Sequence, residues 1–406
     1  MVAQTLRIDS RTGRFAFLMA AAIAGLVGSV LAQPAMALNC PFCSAEGKTL
    51  TQELNEMDVV VIARLEVPAP PAPKDSEFAG EVPKAKFRVQ TVVKGGDLVD
   101  EGELIEAFYF GDPTKGKLFQ IRSMELAGAL QWSSPTSLNQ RSAAYVLKLP
   151  KVPRSGPDRL AFFQEYLEDA DALLARDAYD EFAIAPYSDV AALKDRMNHD
   201  RIVGWLADSK VSPSRRRLYF TLLGICGTES DVPMLEAMIR SDSREQRSAL
   251  DALLACYLTL KGETGIPLVE ELYLGNPKSE YQDVYASIMA MRFHLQDVSR
   301  LPKQRVVQAL RLVLDNPQQA DLVIKDLADH KDWSCVERLV QLFLEAEKNK
   351  TPWMRVPVIV YLRRCPLPEA KQHLARLEKV DPEAAKRATL AAPSPVTAPT
   401  DAPSKS

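Results

Sequence analysis

Histidine is scarce in this chain of 406 residues: His199, His294, His330 and His373 are the whole set, and none lies within metal-ligand spacing of another histidine or of a cysteine. That scarcity removes the usual imidazole sets for zinc, and no His-Glu-x-x-His helix or Gly-x-Ser-x-Gly elbow occurs either. Positive charge is not in excess. The 50 Lys and Arg stand against 53 Asp and Glu, a formal net charge of −3, which argues against a nucleic-acid partner. Six cysteines, all beyond residue 37, suit an oxidising compartment but are too few for a dense disulfide framework. Beyond residue 37 no apolar run is long enough to cross a bilayer. What remains, 47% hydrophobic and 25% charged, is an ordinary globular balance in a chain long enough for two or three domains.

The first 37 residues read as a secretory signal peptide. Arg7, Arg11 and Arg14 precede an uncharged run from Phe15 to Ala32, and Ala35-Met36-Ala37 supplies a small-x-small cleavage site. The expected mature protein is exported, periplasmic or extracellular, and membrane contact is expected only through this segment if it stays uncleaved. At the other end, residues 389–406 are rich in Ala, Pro, Ser and Thr and are expected to form a disordered tail.

Residues 38–152 carry strand signals. After a short helical candidate, Thr49 to Met57, the β-branched run Asp58 to Leu65 is too crowded at χ1 for a good helix. Lys86 to Val93 alternates polar and apolar, the period of a half-buried strand, and Gly95-Gly96 ends it. Further strands are predicted at Leu104 to Phe110, Lys117 to Ile121 and Ala144 to Leu149, enough for a small closed or nearly closed barrel. The N-terminal Cys pair, Asp58-Val59-Val60 with Ala63, Phe87-x-Val89 leading to Lys94-Gly95, and Tyr145-Val146-Leu147 follow one another in an order that resembles the netrin-like module. That module is the OB-type barrel of the tissue inhibitors of metalloproteinases. The resemblance implies the barrel fold. It also implies metalloprotease inhibition through a first-residue Cys, whereas cleavage after Ala37 leaves Leu38 and Asn39 in front of Cys40.

From 153 to 388 one pattern returns. Ser212-Pro213, Ser243-Arg244, Asn276-Pro277, Asn316-Pro317 and Thr351-Pro352 each place a capping residue before an amphipathic run, at spacings of 31, 33, 40 and 35 residues. Ser243 and Gln246 make a capping-box pair. Leu250, Leu253, Leu254, Tyr257 and Leu258 form one apolar stripe, repeated at Val336, Leu339, Val340, Phe343 and Leu344. A shorter helix precedes each, as at Val232 to Ile239 and its apparent copy Ile266 to Tyr273. Such spacing predicts stacked helical hairpins, a solenoid, and the hairpins resemble HEAT repeats. The predicted fold class is therefore an α+β multidomain chain: a small OB-like or netrin-like β-barrel followed by a HEAT-like α-α solenoid.

Chemistry has few places to reside. Cys40-Pro41-Phe42-Cys43 is similar to the glutaredoxin and thioredoxin motif, which implies thiol-disulfide exchange at Cys40 and Cys43. Those folds need a strand just before the motif, where this chain has only its leader, so a local disulfide across the turn is the preferred reading. Cys226, Cys256 and Cys365 occupy equivalent places in different repeats, and stacked helices stand about 8–10 Å apart, too far for a Cys226–Cys256 bridge. Cys335 opens one helix and Cys365 closes its antiparallel partner, which makes Cys335–Cys365 a candidate disulfide. Gly111 to Leu118 matches a phosphate loop except at its last position and reads as a β-turn, and Arg215-Arg216-Arg217 reads as a solvated face. The resulting expectation is an exported, non-enzymatic scaffold that binds an unidentified protein partner and uses no cofactor or metal. A thiol-disulfide oxidoreductase and a metalloprotease-inhibitor-like module are the alternatives.

Overall fold

A computed structural model describes residues 42–70, 82–296 and 301–391, all within one compact unit. The predicted signal segment, Cys40 and residues 392–406 of the predicted tail lie outside the described residues. Six antiparallel strands, β1 (Val59–Val67), β2 (Ala85–Lys94), β3 (Leu104–Ala107), β4 (Leu118–Leu126), β5 (Ala129–Trp132) and β6 (Thr136–Leu138), form a nearly closed, barrel-like sheet. Its order is β3-β2-β1-β4-β5, with β6 paired to the first half of β4.

Side chains alternate across a strand, so β1 has two faces, and from Val59 to Ala63 both are covered. Val59, Val61, Ala63 and Leu65 point into the sheet's own core with Val89, Ile105 and Ile121. In that core Phe87, Tyr109 and Phe119 meet edge to face at centroid distances of 4.9 to 6.0 Å. Val60 and Ile62 point the other way, into a second core that continues through the helical region. The apolar run that identified β1 is thus the signature of a strand buried on both sides. Helix α1 (Leu50–Glu56) packs on that second face, capped by Thr49, whose hydroxyl and main chain pair reciprocally with Gln52.

Residues 144–149, expected as a strand, are helical. Helix α2 (Gln140–Val146) starts at a capping box between Asn139 and Ser142, and a 3₁₀ turn follows at Leu149–Lys151. Tyr145-Val146-Leu147, the last residues of the netrin-like resemblance, therefore lie in a helix and the turn after it, and not in a strand. The sheet is completed instead by β5 and β6. A hairpin through Ala127 and Gly128, at φ 53° and 79°, turns β4 back into β5. Two consecutive left-handed residues match the twist of a two-residue β-turn.

The helical region opens with α3 (Pro157–Gln164), α4 (Ala172–Ile184) and the short α5 (Tyr187–Ala191). Six hairpins follow: α6 (His199–Ala207) with α7 (Pro213–Cys226), α8 (Val232–Ile239) with α9 (Leu250–Lys261), and α10 (Ile266–Val269) with α11 (Tyr281–Leu295). Then come α12 (Lys303–Arg311) with α13 (Asp321–Asp329), α14 (Val336–Leu344) with α15 (Arg355–Arg364), and α16 (Pro368–Val380) with α17 (Pro382–Ala391). The last helix carries the ordered chain past Thr389, where the tail was expected to begin. Each second helix lies against the next, so α4, α7, α9, α11, α13, α15 and α17 make a continuous row. Ion pairs tie that row together at a steady interval. Arg217 meets Asp251 at 2.9 Å, Arg247 meets Asp283 at 2.6 Å, Arg292 meets Asp326 at 2.9 Å and Arg364 meets Asp329 at 2.6 Å. Their partners stand 34, 36, 34 and 35 residues apart in sequence, the period of one hairpin.

Of the five capping pairs only Ser212 caps a helix directly, accepting the Arg215 N–H with Pro213 in the first turn. Asn276 and Asn316 accept instead from the N–H groups two residues on, in Asx turns, and the helices begin at Tyr281 and Asp321. Ser243 accepts only the Gln246 N–H, so half of the expected box forms; the chain then passes through Ala249 at φ 62° before α9 starts. The pairs mark the turns that precede the helices. The apolar stripes are placed as expected except for Leu344, which is 41% exposed.

Because Ile62 faces the helices from within the sheet, Ile62→Ala should cost about 2–5 kcal/mol. Urea unfolding followed at 222 nm and by near-ultraviolet dichroism should give one shared, earlier transition for sheet and helices. Two separate transitions would show that the second core does not join them.

Candidate functional site

Helix α4 departs from the other helices in what it buries. Along the sequence Asp177-Ala178-Tyr179-Asp180-Glu181 the carboxylates fall at i, i+3 and i+4, on one face, and all three are at most 1% exposed. That face is turned to residues 42–51, which run without regular structure up to the first turn of α1. Asp177 accepts the Leu50 N–H at 2.6 Å and the Tyr145 hydroxyl at 2.6 Å. Asp180 accepts the Glu46 N–H at 2.7 Å with one oxygen. Its other oxygen is buried without a hydrogen-bond partner, 3.9 Å from the Arg176 Nε. The Tyr179 hydroxyl donates to the Ser44 carbonyl at 3.2 Å.

Glu181 closes the network. It accepts a hydrogen bond from the Thr51 hydroxyl and bonds from Arg159 Nε and Nη2 at 3.0 and 2.5 Å. Arg159 also donates to the Pro153 carbonyl at 3.0 Å and to Thr51 at 2.6 Å, with its guanidinium 5.0 Å from the Phe163 ring centroid. This pair floors a cleft of about 690 Å³ between α1, the Leu149-Pro150 turn and the C-terminal end of α4. Gln52, Asn55, Arg154 and Asp189 also line the cleft, and Asp189 already accepts the Gly156 N–H at 2.8 Å. Arg159 and Glu181 at the cleft floor bind each other, so its walls offer amides and apolar surface more than a reactive pair.

Burial controls the electrostatics. It pushes the Asp177 carboxyl up to about 6, against the lowering effect of the Tyr145 and Leu50 hydrogen bonds. Asp180 is raised for the same reason, and burial likewise raises the Tyr145 phenol. Buried carboxylates of this kind persist where donors satisfy them, and here the donors come from the segment and from Tyr145.

The other end of the segment is apolar. Phe42 packs on Phe293 of α11 with ring centroids 5.5 Å apart, and Phe293 meets Tyr187 at 5.7 Å. Phe42 also lines a small pocket together with Tyr187 of α5, Phe220 and Gly224 of α7, and Ala255 and Cys256 of α9. The segment thus contacts α11 at Phe42 and α4 from Ser44 to Leu50.

Cys40 lies outside the described residues. Cys43 is disulfide-bonded and packs partly buried against the helical core; α1 begins seven residues later, so Cys43 is not at a helix N-terminus. The expected Cys335–Cys365 bridge is not formed: both thiols are buried and free, Cys256 is likewise buried and free, and Cys226 is free and half-buried. Cys335 sits in a 3₁₀ turn that aims its sulfur at Asp332, 3.6 Å away, and burial pushes that thiol up to about 11. The Arg215-Arg216-Arg217 run is not a solvated face. Arg215 pairs with Glu168 and Arg217 with Asp251, while Arg216 is 5% exposed and donates to the Leu206 carbonyl at the end of α6. Gly111 to Leu118 is a turn, held by Asp112 accepting from Thr114.

His199 lies between Asp200 and Asp231, His294 is buried beside the Ala255 carbonyl, and His373 faces Glu337. Among the described residues no group of three or more His, Cys, Asp or Glu is placed to hold a metal ion. No described helix is long and apolar enough to cross a membrane. The α4 carboxylates were missed by the sequence reading, although acids sharing a face with Leu174, Ala178 and Phe182 are a legible signal. Compared with protein-family models, curated proteins and solved structures, the chain gives no match.

Two measurements test this site. With its folded pKa raised, Asp177 contributes stability that is intact below its ordinary value of 3.8 and lost as pH rises through about 6. Relative to Asp177→Asn, the wild type should therefore lose roughly 2–3 kcal/mol between pH 4 and 7, at about 1.4 kcal/mol per pKa unit, read from urea midpoints. A flat difference would place the carboxyl in water. Thiol titration of the unreduced protein in guanidinium should find the four free cysteines, Cys226, Cys256, Cys335 and Cys365, and modification in the native state should be slow.

Proposed function

We propose that the chain is an exported, non-enzymatic protein that binds another protein, with the row of second helices as its binding surface. On this reading the sheet is an OB-type, netrin-like module and the stacked hairpins are HEAT-like repeats, an architecture that offers extended surface rather than a closed pocket. The observation that carries the proposal is the course of residues 42–51, an irregular segment that packs Phe42 against Phe293 of α11 and is held by α4 through its main chain. A surface that holds one irregular segment in this way has the chemistry to hold another. Export rests on the Arg7, Arg11 and Arg14 leader and the Ala35-Met36-Ala37 site. The oxidoreductase alternative at Cys40 and Cys43 has less support, since Cys43 is removed from a helix N-terminus.

A photo-crosslinking residue placed at Tyr285, exposed on the second helix α11, should yield a discrete protein adduct in the exported fraction. The same residue at Lys379, exposed on the first helix α16, should not. Equal yields at the two positions, or none at Tyr285, would overturn the proposal.

A further inference from the structure

We infer that the cleft of about 690 Å³ beside α1 binds a small zwitterion of the amino-acid or dipeptide type, with a free carboxylate, a free ammonium and an apolar side chain. The inference concerns a small molecule and stands apart from the protein-binding reading above. Size, charge and the chemistry of the walls each specify part of the ligand.

Small-molecule sites have volumes of roughly 300–1,000 Å³ and favour places where separate parts of a chain meet. This cleft lies where α1, which packs on the sheet, meets the first turn of α3 and the end of α4. Its floor is already balanced. Thr51 and Arg159 occupy both Glu181 oxygens, so the floor pair needs no counter-ion from a ligand.

The charge left over is of both signs. Nine arginines lie between residues 141 and 217. Seven of them stand within 3.9 Å of a carboxylate oxygen, and Arg216 is buried on the Leu206 carbonyl. Arg154, on the cleft wall, is exposed and has no hydrogen bond or ion pair among the described residues. Its guanidinium presents the planar fork of donors that a carboxylate fits. Asp189 brings the opposite charge. One of its oxygens accepts the Gly156 N–H at 2.8 Å, and the other has no partner among the described residues. Arg154 and Asp189 do not pair with each other, so a ligand that carries both a carboxylate and an ammonium answers both.

The uncharged groups complete the specification. Gln52 accepts the Thr49 N–H with its carbonyl oxygen, which leaves its NH₂ group as a donor. The Asn55 amide and the Ser155 hydroxyl, also on the cleft wall, have no hydrogen bond among the described residues. A carboxylate and a peptide carbonyl supply acceptors for these donors. Leu149, Val152, Ile184 and Pro186 form an apolar wall, which favours a ligand with an apolar side chain over a bare anion.

The test titrates the full-length protein with the dipeptide Leu-Leu and with free leucine, followed by saturation-transfer NMR at up to about 10 mM, a range that reads millimolar affinity. Binding is expected, and the tighter of the two assigns the ligand as peptide or amino acid. Removing the ammonium of that ligand by acetylation, or its carboxylate by amidation, should each weaken binding about tenfold. Arg154→Gln should weaken the zwitterion by a similar factor and leave the amide unchanged; Asp189→Asn should weaken it and leave the acetylated form unchanged. Arg154 makes no bond within the fold, and Asn at 189 keeps an oxygen to accept from Gly156, so both variants are expected to melt as wild type does. Absence of saturation transfer to either ligand, equal binding of the blocked forms, or full binding by either variant overturns the inference.

Discussion

From Val59 to Ala63, strand β1 has no side left for water. Val59, Val61, Ala63 and Leu65 fill the barrel-like sheet, and Val60 and Ile62 belong to the core that continues through α1, α2 and the helical stack. A strand that contributes to two cores cannot be relieved of either without exposing a run of β-branched residues. The chain position near residue 152, expected as a boundary between domains, is therefore not a boundary in packing. Sheet and helices share buried surface upstream of it, and α1 and α2 are the elements that carry the connection.

The same junction holds the polar part of the design. Burying apolar surface is non-directional, and it does not by itself say where the segment between Cys43 and Thr51 should lie. The α4 carboxylates supply direction, since each accepts from a particular group: Leu50 N–H and the Tyr145 hydroxyl for Asp177, Glu46 N–H for Asp180, Thr51 and Arg159 for Glu181. Satisfied groups of this kind specify one arrangement; left unpaired they would cost free energy. The raised Asp177 and Asp180 carboxyls are the residue of that balance, because burial outweighs the hydrogen bonds that oppose it. The arginine–aspartate pairs that repeat along the row have a different part. They are surface to half-buried contacts, individually weak, and their regular interval keeps one hairpin in register with the next.

Where the hydrophobic period was strong, sequence and structure agree closely. The β-branched run became β1, the alternating run Lys86 to Val93 became β2, Thr49 capped α1, and the Leu250 stripe became the buried face of α9. These depend on signals contained within a few residues. Residues 144–149 went the other way, since their aromatic and β-branched content suits a strand until Asn139 caps a helix and Asp177 receives the Tyr145 hydroxyl. Asn276 and Asn316 have the chemistry of both a helix cap and an Asx turn, and the choice fell to the packing of the helices that follow.

What the sequence by itself determined is the class of the protein and the order of its parts: a β-rich head, then amphipathic helices at hairpin spacing, because periodicity of 2 or 3.6 residues is a local property of the chain. Tertiary structure alone decided which partners distant polar groups would find. Cys335 and Cys365 stay unbridged because a 3₁₀ turn aims one sulfur at Asp332, and Arg216 is buried because the end of α6 presents it a carbonyl. Asp177, Asp180 and Glu181 could be buried only because a segment more than a hundred residues away in the chain arrives with free N–H and hydroxyl groups to meet two of them directly and, through Thr51, the third. A hydrogen bond requires a donor at a given place in space, and spacing along a sequence does not record that place.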